Sequence, residues 1–206
     1  MLSKPIDKVK TDFKNNYYNI VLLPILRKVN YTLSYVKNDN TAEVLRDYIL
    51  AGFLGTRLDR FFKEVSIKGK INQDINVQIH QLSILKIILQ RNNNRRIETE
   101  FDGLFAVVDT NVDTCLDVFV KVNKASMKNK TFLNNVRLDT IIENFYKKTS
   151  LNFDLVIKNN RIYFRIFSGN KFREPLFGKL INERKLSDYY DTLKFIEEIT
   201  TEIVKS

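Results

Sequence analysis

The stretch LNFDLVIKNNRIYFRIF, residues 151–167, decides the fold class. Two runs rich in β-branched and aromatic residues flank Lys158-Asn159-Asn160-Arg161. Asparagine tolerates the positive φ that a two-residue hairpin turn demands, so the stretch predicts an antiparallel β-hairpin. Immediately upstream, residues 138–148 set Ile141, Ile142, Phe145 and Tyr146 on one side of a helix. Downstream, Leu186, Tyr189 or Tyr190, Leu193, Ile196, Ile199 and Ile203 recur at helical spacing. They predict an amphipathic C-terminal helix from about residue 186, with an outer face of mixed charge.

Further from the hairpin, Phe62 to Lys70 leads through residues 71–75 into Val77 and Ile79, which alternate with Asn76, Gln78 and His80. That period of two is a half-buried strand paired with the one before it. Residues 84–89 are nearly all apolar, 91–96 read as a polar loop, and 97–108 resume as a strand. Residues 118–122 alternate again, and the Lys- and Asn-rich residues 123–135 read as loop. At the N-terminal end, Pro5 precedes Ile6, Val9, Phe13, Tyr17 and Ile20, predicting a helix over 5–29 that kinks or breaks at Pro24. Residues 31–37 are a short strand or an extended linker. Thr41 with Val44 in place of Glu gives half a capping box before a helix over 42–51, which Gly52 or Gly55 ends. No repeat and no linker divides the chain. The order of elements predicts an α+β fold: an antiparallel sheet of about five to seven strands with flanking N- and C-terminal helices. Residues 1–206 form one domain, with 1–30 a helical segment packed on it or extending from it.

The composition narrows the chemistry. Among 206 residues there is one cysteine, Cys115, and one histidine, His80. No internal disulfide and no cysteine-based metal site fits within one chain, and a reducing cytoplasm is the expected compartment. No run approaches the ~18 uncharged apolar residues of a membrane span, and Asp7, Lys8, Lys10, Asp12 and Lys14 break any signal-peptide layout. The net charge of +10 has two readings. One is attraction to nucleic acid or anionic lipid. The other is codon bias, because 22 Lys, 22 Asn and 21 Ile, the residues of AT-rich codons, make up close to a third of the chain.

A family resemblance rests on Phe101-Asp-Gly103-Leu104-Phe105 followed by Asp109-x-Asn111, the turn Asn159-Asn160-Arg161-Ile162-Tyr163, and Phe172-Arg-Glu174-Pro175-Leu176-Phe177. Upstream, Asp59-Arg60-Phe61 and Ile67-Lys-Gly69-Lys-Ile71 join them. In order and spacing, over roughly residues 10–204, these resemble an uncharacterised bacterial domain family of unknown function, sometimes mislabelled galanin. The resemblance implies a frequently membrane-linked protein. Spanning helices often precede that domain; none is visible here, and the segment after Asn111 is shorter than the family's. The family brings no catalytic or binding residues with it.

The remaining constellations are each weighed against a plain structural reading. His80 is either a base with distant Asp partners or a hydrogen-bonded or exposed strand residue. Cys115 has no basic neighbour to activate it and reads as a small apolar filler or an exposed thiol. Asp109-x-Asn111-x-Asp113 begins like a calcium loop, but Thr114 and Val120 occupy the glycine and glutamate positions, so a strand-end turn fits better. Gly52-Phe-Leu-Gly55 has the spacing of an RNA-clamping loop, yet Phe53 and Leu54 suit a helix end. No glycine-rich phosphate loop exists. The candidate anion contacts are Arg91, Arg95 and Arg96, near Lys86, and Lys121, Lys124, Lys128 and Lys130 on a second loop. No catalytic, metal or cofactor site is expected. The sequence predicts a non-catalytic interaction module or assembly subunit whose partner is a protein or an anionic membrane surface, and whose rival ligand is nucleic acid.

Overall fold

The computed structural model describes residues 25, 29, 31–36, 40–53, 60–72, 74–89, 95–110, 117–128, 132–169 and 183–205. Its centre is the hairpin that the 151–167 stretch predicts: β6 (Asn152–Lys158) and β7 (Arg161–Phe167). Asn159 and Asn160 take φ values of 51° and 60°, the left-handed pair of a two-residue turn. That turn fixes the register, Lys158 opposite Arg161 and Asn152 opposite Phe167.

Around the hairpin lie β1 (Tyr31–Tyr35), β2 (Arg60–Ile71), β3 (Ile75–Leu89), β4 (Arg95–Asp109) and β5 (Val118–Val122). They form one seven-stranded sheet in the order β1-β2-β3-β4-β7-β6-β5, antiparallel throughout. Two meanders, β1 to β4 and β5 to β7, are thus sewn together where β4 meets β7. Gly103 lies beside that seam. A Cβ there would stand 2.0 Å from the Ile166 carbonyl oxygen, so no other residue lets β7 pass so close.

Among the described residues, three full helices complete the α+β architecture: α1 (Thr41–Leu50), α2 (Val136–Thr149) and α3 (Glu183–Lys205). The two faces of the sheet are covered differently. On one, Leu138, Ile142 and Phe145 of α2 and Leu193, Phe195, Ile196 and Ile199 of α3 pack on Ile79, Ala106, Leu155 and Phe164. Phe195 stacks on Phe145 at 4.1 Å between ring centroids and meets Phe153 and Phe164 edge-on. On the other face, α1 sets Val44 and Tyr48, with Phe53 just beyond it, on Leu82, Phe101, Phe105 and Tyr163.

Several boundaries differ from the sequence reading for local reasons. Residues 31–35 pair with β2 and are a strand, not a linker. The N-cap of α1 is Asn40, not Thr41; its side-chain oxygen accepts from the Ala42 amide at 3.1 Å. Gly52, at φ 75°, follows the end of α1 in the left-handed region. Asn135 caps α2 by accepting from Arg137 and Leu138, which starts that helix at Val136. The 91–96 loop is shorter than expected, because Arg95 and Arg96 already belong to β4. The 5–29 helix and the Phe172–Phe177 motif lie outside the described residues, apart from Ile25, which is helical, and Val29. Among the described residues, no helix is long and apolar enough to cross a membrane.

Candidate functional site

Strand register gathers the polar chemistry of the α1 face into one line. Ser66, His80, Phe105, Arg165, Asp154 and Lys121 are successive cross-strand neighbours on β2, β3, β4, β7, β6 and β5. His80 Nδ1 and Ser66 Oγ share a 2.9 Å hydrogen bond, both residues are buried, and Phe105 stacks against the imidazole. The hydrogen-bonded strand histidine is therefore the reading that holds.

Arg165 dominates the middle of the line. Its Nε donates to Asp154 Oδ2 at 2.8 Å and its Nη2 donates to the same oxygen. Its Nη1 donates to the Tyr48 hydroxyl at 3.0 Å and to the Phe53 carbonyl at 3.1 Å. The guanidinium also faces Phe53 at 4.7 Å and Phe167 at 5.1 Å from the ring centroids. A cation only 12% exposed needs partners like these to offset lost hydration. Arg165 thereby fastens α1 and the segment after it to the sheet. Burial pushes the Tyr48 phenol up to about 12, against the opposing pull of Arg165.

One turn along the sheet, Arg161 bridges two carboxylates: Asp47 of α1 at 3.0 Å and Asp109 of β4 at 2.7 Å. Burial raises the Asp47 carboxyl above its usual range although Arg161 pulls it down. Asp109 and Thr110, which opened the calcium-like pattern, are thus a strand end: Thr110 Oγ1 donates to the Asn160 carbonyl at 2.9 Å. Among the described residues, no three His, Cys, Asp or Glu side chains gather to hold a metal. Asn111, Asp113 and Cys115 lie outside the described residues.

The candidate anion contacts fall into two places. The β3–β4 ladder continues as Lys86↔Glu98, Ile87↔Ile97, Ile88↔Arg96 and Leu89↔Arg95. Within the described residues, β2 follows β3 only to Leu85, and β7 follows β4 only to Leu104. Beyond those levels β3 and β4 run on paired with each other, here called the arm, with Arg95 and Arg96 both exposed near its end. Arg96 pairs with Glu98 at 3.2 Å, and Ile97 between them is 55% exposed. Lys121 and Lys124 lie exposed at the end of β5, and Lys128 lies in the short 3-10 helix Ser126–Lys128. Both groups occupy the same end of the sheet. Arg95 nevertheless stands nine residues beyond Leu104, the level at which β5 ends, or about 30 Å at strand rise. They do not make one basic patch. Arg91 and Lys130 lie outside the described residues.

A cleft of about 570 Å³ runs along the outer stripe of α3, past Tyr190, Lys194, Glu197 and Thr201, with Asn72 and Ile141 on its walls. Its charges are largely committed: Lys194 to Glu198, and Glu202 to Arg137.

The arginine line escaped the sequence reading, although a signal existed. Once the Asn159-Asn160 turn is taken as two residues, Asp154 must face Arg165, a pairing of opposite charges on neighbouring strands. No family model matches the chain, and no curated protein or solved structure shows significant similarity to it.

Proposed function

We propose that the chain is a non-catalytic interaction module, a cytoplasmic assembly subunit that engages a protein partner through the β3–β4 arm. One observation carries this reading. Among the described residues the arm extends past both neighbouring ladders, and Ile97 near its end is 55% exposed, with Arg96 and Glu98 beside it in sequence. A two-stranded ribbon is marginal in water on its own, and an exposed branched side chain flanked by both charges suits a protein contact better than bulk solvent. The resemblance to the often membrane-linked bacterial family belongs to the same proposal, with the partner held at the inner membrane surface.

The test is affinity capture of the tagged chain with and without Ile97→Asp, with circular dichroism of both. The expected result is an unchanged spectrum and loss of the co-purifying partner. Retention of that partner by Ile97→Asp overturns the role of the arm. Flotation with anionic vesicles in place of a protein partner points to the membrane surface instead.

Nucleic acid is the second reading, favoured by one feature: a two-stranded ribbon bearing Arg95 and Arg96 has the shape that enters a major groove. It requires affinity that falls steeply with salt, and a salt slope that shrinks by about one per arginine in Arg95→Glu and Arg96→Glu. A weak gel shift that is flat with salt removes it.

A further inference from the structure

We infer that the free edge of β5 pairs with the β5 edge of a second copy of this chain, about a twofold axis at Val120. Among the described residues, nothing pairs with the outer side of β5, so its outward amide and carbonyl groups form an open template. The strand reads Val118-Phe119-Val120-Lys121-Val122, and its three valines fall in the same places in both directions about Val120, with Phe119 and Lys121 exchanging places. A twofold interface needs such self-complementarity, because each residue meets its mirror position. Centred on Val120, antiparallel pairing sets Val118 against Val122 and Val120 against Val120. On the opposite face it sets each Phe119 against the other copy's Lys121.

The two sides of the strand are already divided for this. Val120 and Val122 are buried in the α2–α3 core, so a second strand extends that layer. Phe119, on the α1 side beside Val156, is 58% exposed. Pairing covers it and places a Lys121 stem and ammonium against its ring. The two Lys121 side chains meet only diagonally, roughly 7–8 Å apart, and each has Asp154 directly behind it in its own sheet.

The other edge, β1, differs on the face that carries Phe119. Its residues on that face are Thr32 and Ser34, both exposed and both at ease in water. One self-pairing edge gives a closed dimer, whereas two would give an open fibre. A five-residue edge falls short of the roughly 1,200 Å² of a constitutive interface, so the dimer is concentration-dependent.

Sedimentation equilibrium between roughly 10 µM and 1 mM spans the range expected of such an interface. The weight-average mass is expected to climb from 24.3 kDa towards twice that value. Phe119→Lys, an exposed substitution that sets lysine opposite lysine, is expected to keep its circular dichroism and stay monomeric. In a Cys115→Ser background, Val120→Cys is expected to cross-link to itself on oxidation. Phe119→Cys alone is not, but cross-links when mixed with Lys121→Cys. A monomer at all concentrations, species larger than a dimer, undiminished association in Phe119→Lys, or self-cross-linking at 119 in place of 120 overturns the proposal.

Discussion

The two faces of the sheet solve the same burial problem by different means. Under α2 and α3 the packing is mainly apolar, with Phe145, Phe153, Phe164 and Phe195 interlocked. Under α1 the apolar cluster is smaller, and the largely covered Arg165 guanidinium, 12% exposed, ties helix to sheet. Apolar packing is non-directional and tolerates small shifts, whereas the Arg165 contacts hold in one geometry only. The large face supplies stability, and the small face specifies where α1 sits.

The largest effect is expected on the large face. Phe195 is 2% exposed and touches three other rings, so Phe195→Ala removes transfer energy and leaves a cavity. Chemical denaturation is expected to read a loss of about 4–5 kcal/mol with an unchanged m-value. A loss below about 2 kcal/mol means that the face relaxes into the gap and the contrast between the faces is weaker than drawn.

On the small face, the sign of a double substitution is the informative quantity. Arg165→Met strands the Asp154 carboxylate, whose side chain is 1% exposed and whose Oδ1 already lacks a hydrogen-bond partner among the described residues. The expected cost is about 3–4 kcal/mol. Adding Asp154→Leu is expected to recover most of it, because a well-packed apolar pair often matches or exceeds a buried ion pair. In the double variant α1 loses its polar anchor, so hydrogen exchange over residues 42–50 is expected to quicken even where global stability returns. Protection of α1 that survives in the double variant breaks the claim that Arg165 positions the helix.

How much of this the sequence disclosed follows the same division. The hairpin 151–167, the helical stripes of α2 and α3 and the alternation at 75–80 are periodic signals, and periodicity reports which side is apolar. They yielded the α+β sheet and the large face. The arginine line is not periodic. It arises because separate strands bring Ser66, His80, Arg165 and Asp154 into one register, and only the Asp154–Arg165 step is local enough to compute from a turn. The arm was hidden for a related reason. Residues 84–100 declare two strands, but nothing local states how far, among the described residues, β2 and β7 accompany them. The loop arginines and lysines were recognised as charges, and their separation along the sheet is a property of topology alone.

Alkaline titration probes the small face with a smaller effect. Burial, opposed by Arg165, moves Tyr48 from its usual value of about 10 up to about 12, and burial raises Tyr163 as well. The folded state therefore holds these protons more tightly than the unfolded chain. The Tyr48 contribution is whole below pH 10 and is lost as pH rises through about 12, and that of Tyr163 is lost as pH rises above its usual value. For Tyr48 that loss is about 2–3 kcal/mol. Tyr48→Phe is expected to cost about 1–2 kcal/mol at pH 7, through the hydrogen bond to Arg165, and to flatten the decline above pH 10. Parallel stability–pH curves for the two proteins between pH 9 and 12 would contradict this origin.

The smallest effect separates the two ion pairs of the α1 face from each other. Among the described residues, Arg165 contacts one carboxylate, that of Asp154, but Arg161 has Asp109 at 2.7 Å as well as Asp47 at 3.0 Å. Burial raises the Asp47 carboxyl, so the folded state favours its neutral form more than the unfolded chain does. Its contribution is whole below the unfolded value and shrinks as pH rises through the folded one, which means that the charge on Asp47 weakens the fold at neutral pH. An amide in place of this carboxylate keeps an oxygen able to accept from Arg161 while shedding the buried charge. Asp47→Asn is therefore expected to lie within about 0.5 kcal/mol of the parent at pH 7, with a shallower stability profile as pH rises above the usual carboxylate value. A loss on the scale of Arg165→Met would mean that α1 is held at two charged points of equal weight, and the single-anchor picture of the small face would have to give way.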